Sequence, residues 1–569
     1  MVNSQAMQDV VSTPSRIGKG RLSGFALGVR PEAPSLASCG FALLSSVGLI
    51  LSFPDFNFWP LAWVGLVPLL AASVRNRPSQ AFVLGWLFGS VFFFGSCYWL
   101  TYSMIHFGGI PSLIAYVLLV PGAVLLGIFP AIFMMIVSRA VERFGTQALL
   151  SAAFIWPSLE WARLEITGQL WNAIGYSQAY HPSLIQSARW GGVYATGFLI
   201  VLVNAIVAYA CIRRIKRAWM TSAILLLLTA GLVVLAARSS KMNSSQTGSS
   251  TPELVVIAIQ PNVPMEPVKD SALTQTLITR HTSLSTTALR EWESTGRVDN
   301  VVGSPVDNWA TDVSPTVRRD IPRLVIWPES PMNFAYGGDT ELRESLANFA
   351  KTNNTSILLN SQEVAPNDGL YNSAMLINQD GNLIAQYDKI RLLPFGEYVP
   401  LPQWLPGAGL MRAIVGDFTP GSKYRVMQVG NVRAGVFICI ESAYPALVRG
   451  FTNQGADVLI NISNDGYLGP TAVMRQHLAN AVFRAVENDR PLLSITNTGI
   501  TALITTDGEV RNATAGFETN VRTWAIARGR ETKTFYASQG DIFPAGCAVL
   551  SVAVFLFSFK RQSVEVHTT

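Results

Sequence analysis

Hydrophobic and polar positions divide this chain into two regimes. Before residue 237 and after 541 the apolar residues come in long runs, near 37–53, 56–74, 81–100, 112–138, 147–162, 190–212, 218–236 and 542–559. Several reach the ~20 residues that a helix needs to cross a hydrocarbon core roughly 30 Å thick. The run at 147–162 is the shortest and is interrupted by Pro157 and Glu160. Between 237 and 541 the pattern changes to short Val/Ile/Leu-rich runs at 254–259, 324–327, 356–359, 432–440, 458–462 and 492–496, which alternate with helix-like stretches such as 342–350 and 471–487. That alternation predicts α/β layers around one sizeable core. Asp380-Gly381 and Asp507-Gly508, each between apolar runs, predict hairpin turns and hence mixed sheets. The expected organisation is a basic tail at 1–36, a membrane domain with seven spans at 37–236, a soluble domain at 237–541, an eighth span at 542–559 and a tail at 560–569.

Composition agrees with spans plus a soluble domain: 49% of residues are hydrophobic and only 14% charged, and the charges are crowded into parts of the chain. Basic clusters set the orientation. Arg16, Lys19, Arg21 and Arg30 precede the first run, and Arg75 and Arg77 follow the second. Arg139 and Arg143 follow the fourth run, Arg213, Arg214, Lys216 and Arg217 the sixth, and Lys560 and Arg561 the eighth. Eight spans put all of these on the cytoplasmic side, with both termini inside and the soluble domain outside. The first 36 residues are too polar for a cleavable signal, so the first span is expected to remain as an anchor. These clusters account for the formal charge of +6, and no nucleic-acid partner is expected.

Of the five cysteines, Cys39, Cys97, Cys211 and Cys547 lie in the apolar runs, and Cys439 alone lies in the polar stretch. Without a disulfide partner in its own domain, Cys439 is either a packing residue or a nucleophile. The order Glu329, Lys389, Cys439 favours the nucleophile, because each follows a strand-like segment and together they supply a base, a cation and a thiol. A free thiol with a pKa near ~8.5 is mostly protonated at neutral pH, so a working cysteine needs such partners. Burial beside Ile326, Trp327 and Pro328 would make Glu329 a better base, and Lys389 could hold a developing oxyanion. Taken singly, Glu329 could equally cap a helix and Lys389 edge a solvated hairpin. Glu397, eight residues after Lys389, could orient that lysine or sit in a surface turn. No Walker loop, dinucleotide fingerprint or metal-spaced His/Cys set is present, so no cofactor and no metal are expected.

Longer segments carry a resemblance. Trp327-Pro328-Glu329-Ser330, Lys389 with Leu393-Pro394-Phe395-Gly396-Glu397-Tyr398-Val399-Pro400-Leu401, and Cys439-Ile440-Glu441 resemble the nitrilase superfamily. Within it they look most like the apolipoprotein N-acyltransferases. Asn461-Ile462-Ser463-Asn464-Asp465, Gln476-His477, Arg484-Ala485-Val486-Glu487 and Asn497 to Ala502 match as well, and Gly168 to Gln178 resembles the family's periplasmic membrane loop. Three places depart from the family: Ile440 and Gly466-Tyr467-Leu468 stand where aromatics are usual, and Val268-Lys269 replaces Lys-Trp. The resemblance implies a multi-span α-helical membrane domain joined to a nitrilase-like α-β-β-α sandwich. It implies a monomeric enzyme of the bacterial inner membrane with its catalytic domain in the periplasm.

The same resemblance implies the chemistry. Glu329 would deprotonate Cys439, which takes an acyl chain from a membrane phospholipid as a thioester while Lys389 stabilises the oxyanion. The thioester would then be opened by the amino group of a diacylglyceryl-cysteine at an apolipoprotein's N-terminus. Glu397 and Glu441 are assigned as supporting residues. Between Pro400 and Pro420 the chain is a Gly/Pro-rich loop carrying Trp404, Leu410 and Met411, which are assigned as a lid dipping into lipid. Contact with lipid has an energetic reason: moving about 14 methylenes through water would cost roughly 11 kcal/mol at ~0.8 kcal/mol each. Trp171, Tyr176 and Tyr180 are expected to form an interfacial floor to the site, and Glu160 and Arg163, one helical turn apart, to pair. Two alternatives use the same residues differently. A membrane-tethered carbon-nitrogen hydrolase on a small amide would need neither eight spans nor an apolar lid, and a non-catalytic scaffold would not need the intact trio.

Overall fold

The computed structural model describes residues 33–244, 252–265, 271–302, 320–329, 334–366, 369–399, 404, 418–527 and 532–559. The apolar runs fold as helices: Leu36–Ser52, Val67–Arg75, Pro78–Ser96, Ser112–Leu126 continued by Ile128–Phe144, Ala152–Thr167, Ala188–Arg213, Lys216–Ser244 and Ile542–Phe557. Among the described residues, four helical stretches are long and apolar enough to cross a membrane: Pro78–Ser96, Ser112–Phe144, Ala188–Arg213 and Lys216–Ser239. Leu36–Ser52, Trp59–Arg75 and Ile542–Phe557 are shorter apolar helices. Their outward faces are not built for water. Leu113, Leu227 and Val549 are each at least 70% exposed, which a bilayer tolerates and an aqueous surface disfavours.

The polar stretch forms thirteen described strands: β1 Leu254–Gln260, β2 Asn300–Val302, β3 Arg323–Ile326, β4 Ser356–Val364, β5 Leu370–Ile377, β6 Leu383–Asp388, β7 Val426–Val429, β8 Val432–Ile438, β9 Val458–Ser463, β10 Leu492–Thr496, β11 Ala502–Ile504, β12 Val510–Arg511 and β13 Asn520–Ile526. They make two mixed sheets, ordered β2-β13-β1-β3-β4-β5-β6 and β12-β11-β10-β9-β8-β7. Both Asp-Gly pairs are hairpin turns. Gly381 joins β5 to β6 and Gly508 joins β11 to β12, at φ of +79° and +91°, where a side chain would be strained.

Alternation along the strands decides the layering. In the first sheet Val256, Ala258, Leu324, Ile326, Leu358 and Leu376 point into one core with Val436, Ile438, Ile460 and Ile495 of the second sheet. Their neighbours Ile257, Ile259, Val325, Ile357, Leu359 and Met375 point the other way, onto Ile278 and Leu289 of helix Ser271–Thr295 and Leu342 and Leu346 of helix Thr340–Thr352. A period of two on a strand buried on both faces requires this arrangement. On the far side of the second sheet lie the helices Pro445–Asn453 and Val473–Asn488, completing an α-β-β-α sandwich.

The helix Val473–Asn488 is also the seat on which the apolar half rests. Arg189 donates to Asp489 at 2.6 Å and to the Thr506 carbonyl at 2.8 Å, and the Tyr180 hydroxyl donates to the Arg475 carbonyl at 2.6 Å. At Gly192 (φ +64°) the helix Ala188–Arg213 is kinked, and a Cβ there would lie 2.8 Å from the Tyr536 ring. Glycine therefore lets the kink close on the sandwich, and the freed Val193 amide donates to Glu487 at 2.8 Å.

Candidate active site

Strand ends from both sheets converge on one place. Glu329 follows β3, Lys389 follows β6 and Cys439 follows β8, so residues 60 and 50 positions apart are brought together where the first sheet's β3 and β6 and the second sheet's β8 terminate. Lys389 is almost fully buried, at 1% exposure, with its Nζ 2.8 Å from Glu397 Oε1 and 3.5 Å from Glu329 Oε1. Burial alone would discharge an ammonium. The two carboxylates outweigh it, Glu329 first, and hold the lysine pKa above its ordinary value, so Lys389 is a cation at neutral pH.

Asn372 organises this cluster. The antiparallel pairing of β5 with β6 sets Lys389 opposite Asn372, and the Lys389 amide donates to the Asn372 carbonyl at 2.8 Å. The Asn372 side-chain amide bridges both carboxylates, donating to Glu329 Oε1 at 2.9 Å and Glu397 Oε1 at 2.7 Å, and accepts from Asn360 at 2.7 Å. Glu397 is fixed further by the Leu393 amide at 2.7 Å. No motif singled out Asn372 or Asn360. Buried polar side chains inside otherwise apolar strands were the available signal.

Cys439 sits at φ +54°, in the left-handed region that costs a non-glycine residue roughly 1–2 kcal/mol. The sharp turn from β8 into the 3-10 turn Cys439–Ala443 projects the thiol from the strand end. Two groups clamp this elbow. Before the cysteine, Glu441 Oε2 accepts the Ile438 amide at 2.8 Å, while its Oε1 accepts the Ile390 and Arg391 amides at 2.7 and 3.0 Å; the Tyr387 hydroxyl adds a further donor at 2.8 Å. Glu441 thus ties the end of β8, just before Cys439, to the residues just after Lys389. After the cysteine, its carbonyl is held by His477 Nε2 at 3.0 Å, and His477 Nδ1 meets Asp465 at 2.9 Å.

The thiol itself is kept protonated. Burial raises its pKa most, Glu329 and Asp465 raise it further, and Lys389 pulls it down without winning. An attack by this sulfur would therefore need a base to take its proton, and Glu329 is among the charges that bear on the thiol.

The remaining sequence assignments fall as follows. Trp404 is 80% exposed, while Leu410 and Met411, like Val268-Lys269, lie outside the described residues. Tyr467 packs on Phe107 with ring centroids 5.5 Å apart, and Ile440 is buried. Trp171 and Tyr176 are buried against the helix Val473–Asn488 rather than laid along an interface. Glu160 and Arg163 each pin the loop after their helix: Glu160 accepts the Ile174 amide at 2.7 Å, and Arg163 donates to the Trp171 carbonyl at 2.8 Å. Gln476, His477 and Asp465 belonged to matching segments without a role, and geometry gives them one. Among the described residues no group of three His, Cys, Asp or Glu side chains is placed to hold a metal ion.

A thiol at a strand-end elbow, beside a buried ammonium and two carboxylates on a two-sheet sandwich, is the arrangement of a carbon-nitrogen hydrolase, and the carbon-nitrogen hydrolase family matches residues 323–535. The apolar half matches the apolipoprotein N-acyltransferase N-terminal domain over residues 45–206. An apolipoprotein N-acyltransferase of Geobacter metallireducens is 32% identical over 533 residues, covering 92% of this chain and 96% of the relative. One of Haemophilus influenzae is 28% identical, with 92% and 96% covered. Among solved structures, an amidase of the nitrilase superfamily from Nesterenkonia AN1 is 15% identical with a TM-score of 0.33, covering 51% of this chain and 96% of its own. The chain belongs to the apolipoprotein N-acyltransferase family.

Proposed function

We propose that this chain is a membrane acyltransferase that N-acylates lipoproteins by a two-step transfer through Cys439. Glu329 takes the Sγ proton as sulfur attacks the carbonyl of a phospholipid ester. Lys389, with nearby backbone amides, stabilises the oxyanion. The ester C–O bond breaks, Glu329 returns the proton to the leaving alkoxide, and lysophospholipid departs from the thioester. The amino group of a diacylglyceryl-cysteine then attacks the thioester and gives its proton to Glu329. Cleavage of the C–S bond restores the thiol, which recovers that proton. Water exclusion favours the amine in the second step.

The observation that carries this reading is the union of one elbow thiol, one buried ammonium and the Glu329 carboxylate on a sandwich whose helix Val473–Asn488 is bolted to apolar helices. A small polar amide would not need that seat. The eight-span topology belongs to the same proposal: residues 37–236 and 542–559 in the inner membrane, residues 237–541 in the periplasm, and the segment with Trp404, Leu410 and Met411 as a lid to the bilayer. The enzyme works as a monomer. Mass spectrometry of the purified protein mixed with phospholipid tests the scheme. An added acyl mass on the Cys439 peptide, discharged by an amine acceptor, is the expected result; an unmodified thiol under turnover conditions would overturn it.

A further inference from the structure

Gln476 and His477 are consecutive, buried residues on one helix, and each is saturated with hydrogen bonds that lead in opposite directions. Gln476 Oε1 accepts from the indoles of Trp99 at 3.1 Å and Trp171 at 2.8 Å, and its Nε2 donates to the carbonyls of Pro54 at 3.0 Å and Ser96 at 3.1 Å. An amide has two lone pairs and two N–H groups, so its capacity is filled, by four groups from the apolar half of the chain. His477 faces the opposite way, to Asp465 through Nδ1 and to the Cys439 carbonyl through Nε2.

Both His477 partners are acceptors. A neutral imidazole carries one N–H and would set a lone pair against either the carboxylate or the carbonyl, whereas the imidazolium satisfies both. The charged and titratable groups that face the ring are Asp465 from the loop after β9, Cys439 from the elbow and Glu329 from beyond β3. The Trp171 ring lies 5.8 Å away, and Arg475 on the same helix is turned to Asp55. Burial works against the charge, yet the Asp465 carboxylate and the two hydrogen bonds prevail and raise the His477 pKa.

We propose that Gln476 and His477 are a positioning pair: Gln476 registers the seat of the membrane helices, and His477, as the imidazolium, transmits that register to the strained backbone of Cys439. The proposal rests on Cys439 being the nucleophile. It adds that the elbow is shaped only while the helix Val473–Asn488 is docked and His477 is charged. The sign follows from the raised pKa: the Cys439 carbonyl keeps its donor while His477 holds both protons, below the folded-state pKa. It loses that donor as pH rises through a value above the ordinary ~6.5 of imidazole, because the proton facing Asp465 is the one retained.

The test uses the full-length protein in phospholipid vesicles and reads Cys439 alkylation by iodoacetamide beside acyl-adduct formation. His477→Ala is expected to slow both about tenfold, the loss of one charge-assisted hydrogen bond. In His477→Gln the side-chain amide can donate to the carbonyl at any pH. The ratio of parental to His477→Gln alkylation rates cancels the thiol ionisation common to both, and it is expected to fall as pH rises through the His477 pKa. Gln476→Leu is expected to slow iodoacetamide and acyl transfer by a similar factor. A pH-independent ratio, or a Gln476→Leu protein that alkylates at the parental rate, would overturn the pairing. If His477→Ala fails to fold, the His477→Gln ratio still decides. A parent that forms no acyl adduct would remove the acyl-transfer reading, while the alkylation comparison would still decide the positioning role.

Discussion

Replacing Glu441 with glutamine changes one atom of a buried side chain whose partners all lie within the protein fold, and the structure says how much that should matter. Glu441 is fully buried and accepts from three backbone amides and the Tyr387 hydroxyl. Glutamine keeps one acceptor oxygen and gains an N–H₂. Turned so that its oxygen still serves Ile390, Arg391 and Tyr387, it sets two donors against each other at Ile438, whose amide loses a bond of 2.8 Å. The opposite rotamer orphans two amides and is worse. One buried unsatisfied donor costs about 1–3 kcal/mol, and above the Glu441 pKa of about 7, where the parent is a carboxylate, the bonds that remain also lose their charge assistance, so a total near 3 kcal/mol is expected there. Because Ile438 immediately precedes Cys439, part of that cost appears in the transition state as a fall in acyl-adduct formation of roughly 10- to 100-fold. Thermal unfolding in detergent at several pH values supplies a second arm. Burial, against the pull of its donors, pushes the Glu441 carboxyl up to about 7 from 4.5. The folded protein therefore retains a proton that the unfolded chain has released across that window, and parental stability falls as pH rises from about 4.5 to about 7. Glu441→Gln should lack this slope. Parental adduct kinetics together with an unchanged pH slope would refute the view that Glu441 braces the elbow.

Other outcomes follow from the same geometry. Cys439→Ser and Cys439→Ala should abolish the acyl adduct while the protein still inserts, since a hydroxyl is far less acidic than a thiol; near-normal turnover of the serine variant would remove the nucleophile assignment. Glu329→Gln should prevent adduct formation, and Lys389→Ala should slow it at least ~10²-fold in single-turnover assays, the usual loss for one oxyanion donor; a parental rate for the alanine variant would make the lysine purely structural. Changing Trp404, Leu410 and Met411 together to serine should leave iodoacetamide reactivity intact but lower acylation from bilayer phospholipid. Loss of thiol reactivity with unfolding would mean that those residues are core.

What the sequence determined by itself was whatever depends on neighbours along the chain. Unbroken apolar runs could only be buried in lipid or protein, and they are helices, from Leu36–Ser52 to Ile542–Phe557. Period-two runs became strands because each alternate side chain meets a different face, and two Asp-Gly pairs turned hairpins because glycine alone accepts their φ without strain. The strand-end positions of Glu329, Lys389 and Cys439 were legible because each follows an apolar run in a distinctive local motif. The tertiary structure alone decided which strand ends face one another. Nothing local to Asn372 marks it as the amide between Glu329 and Glu397, since that role exists only once β5 pairs with β6. Nor could the order of residues show that Gln476 would meet Trp99 and Pro54, or that Trp171 and Tyr176 would turn inward. Those contacts span hundreds of residues, and their free energy appears only when two separately patterned surfaces come into register.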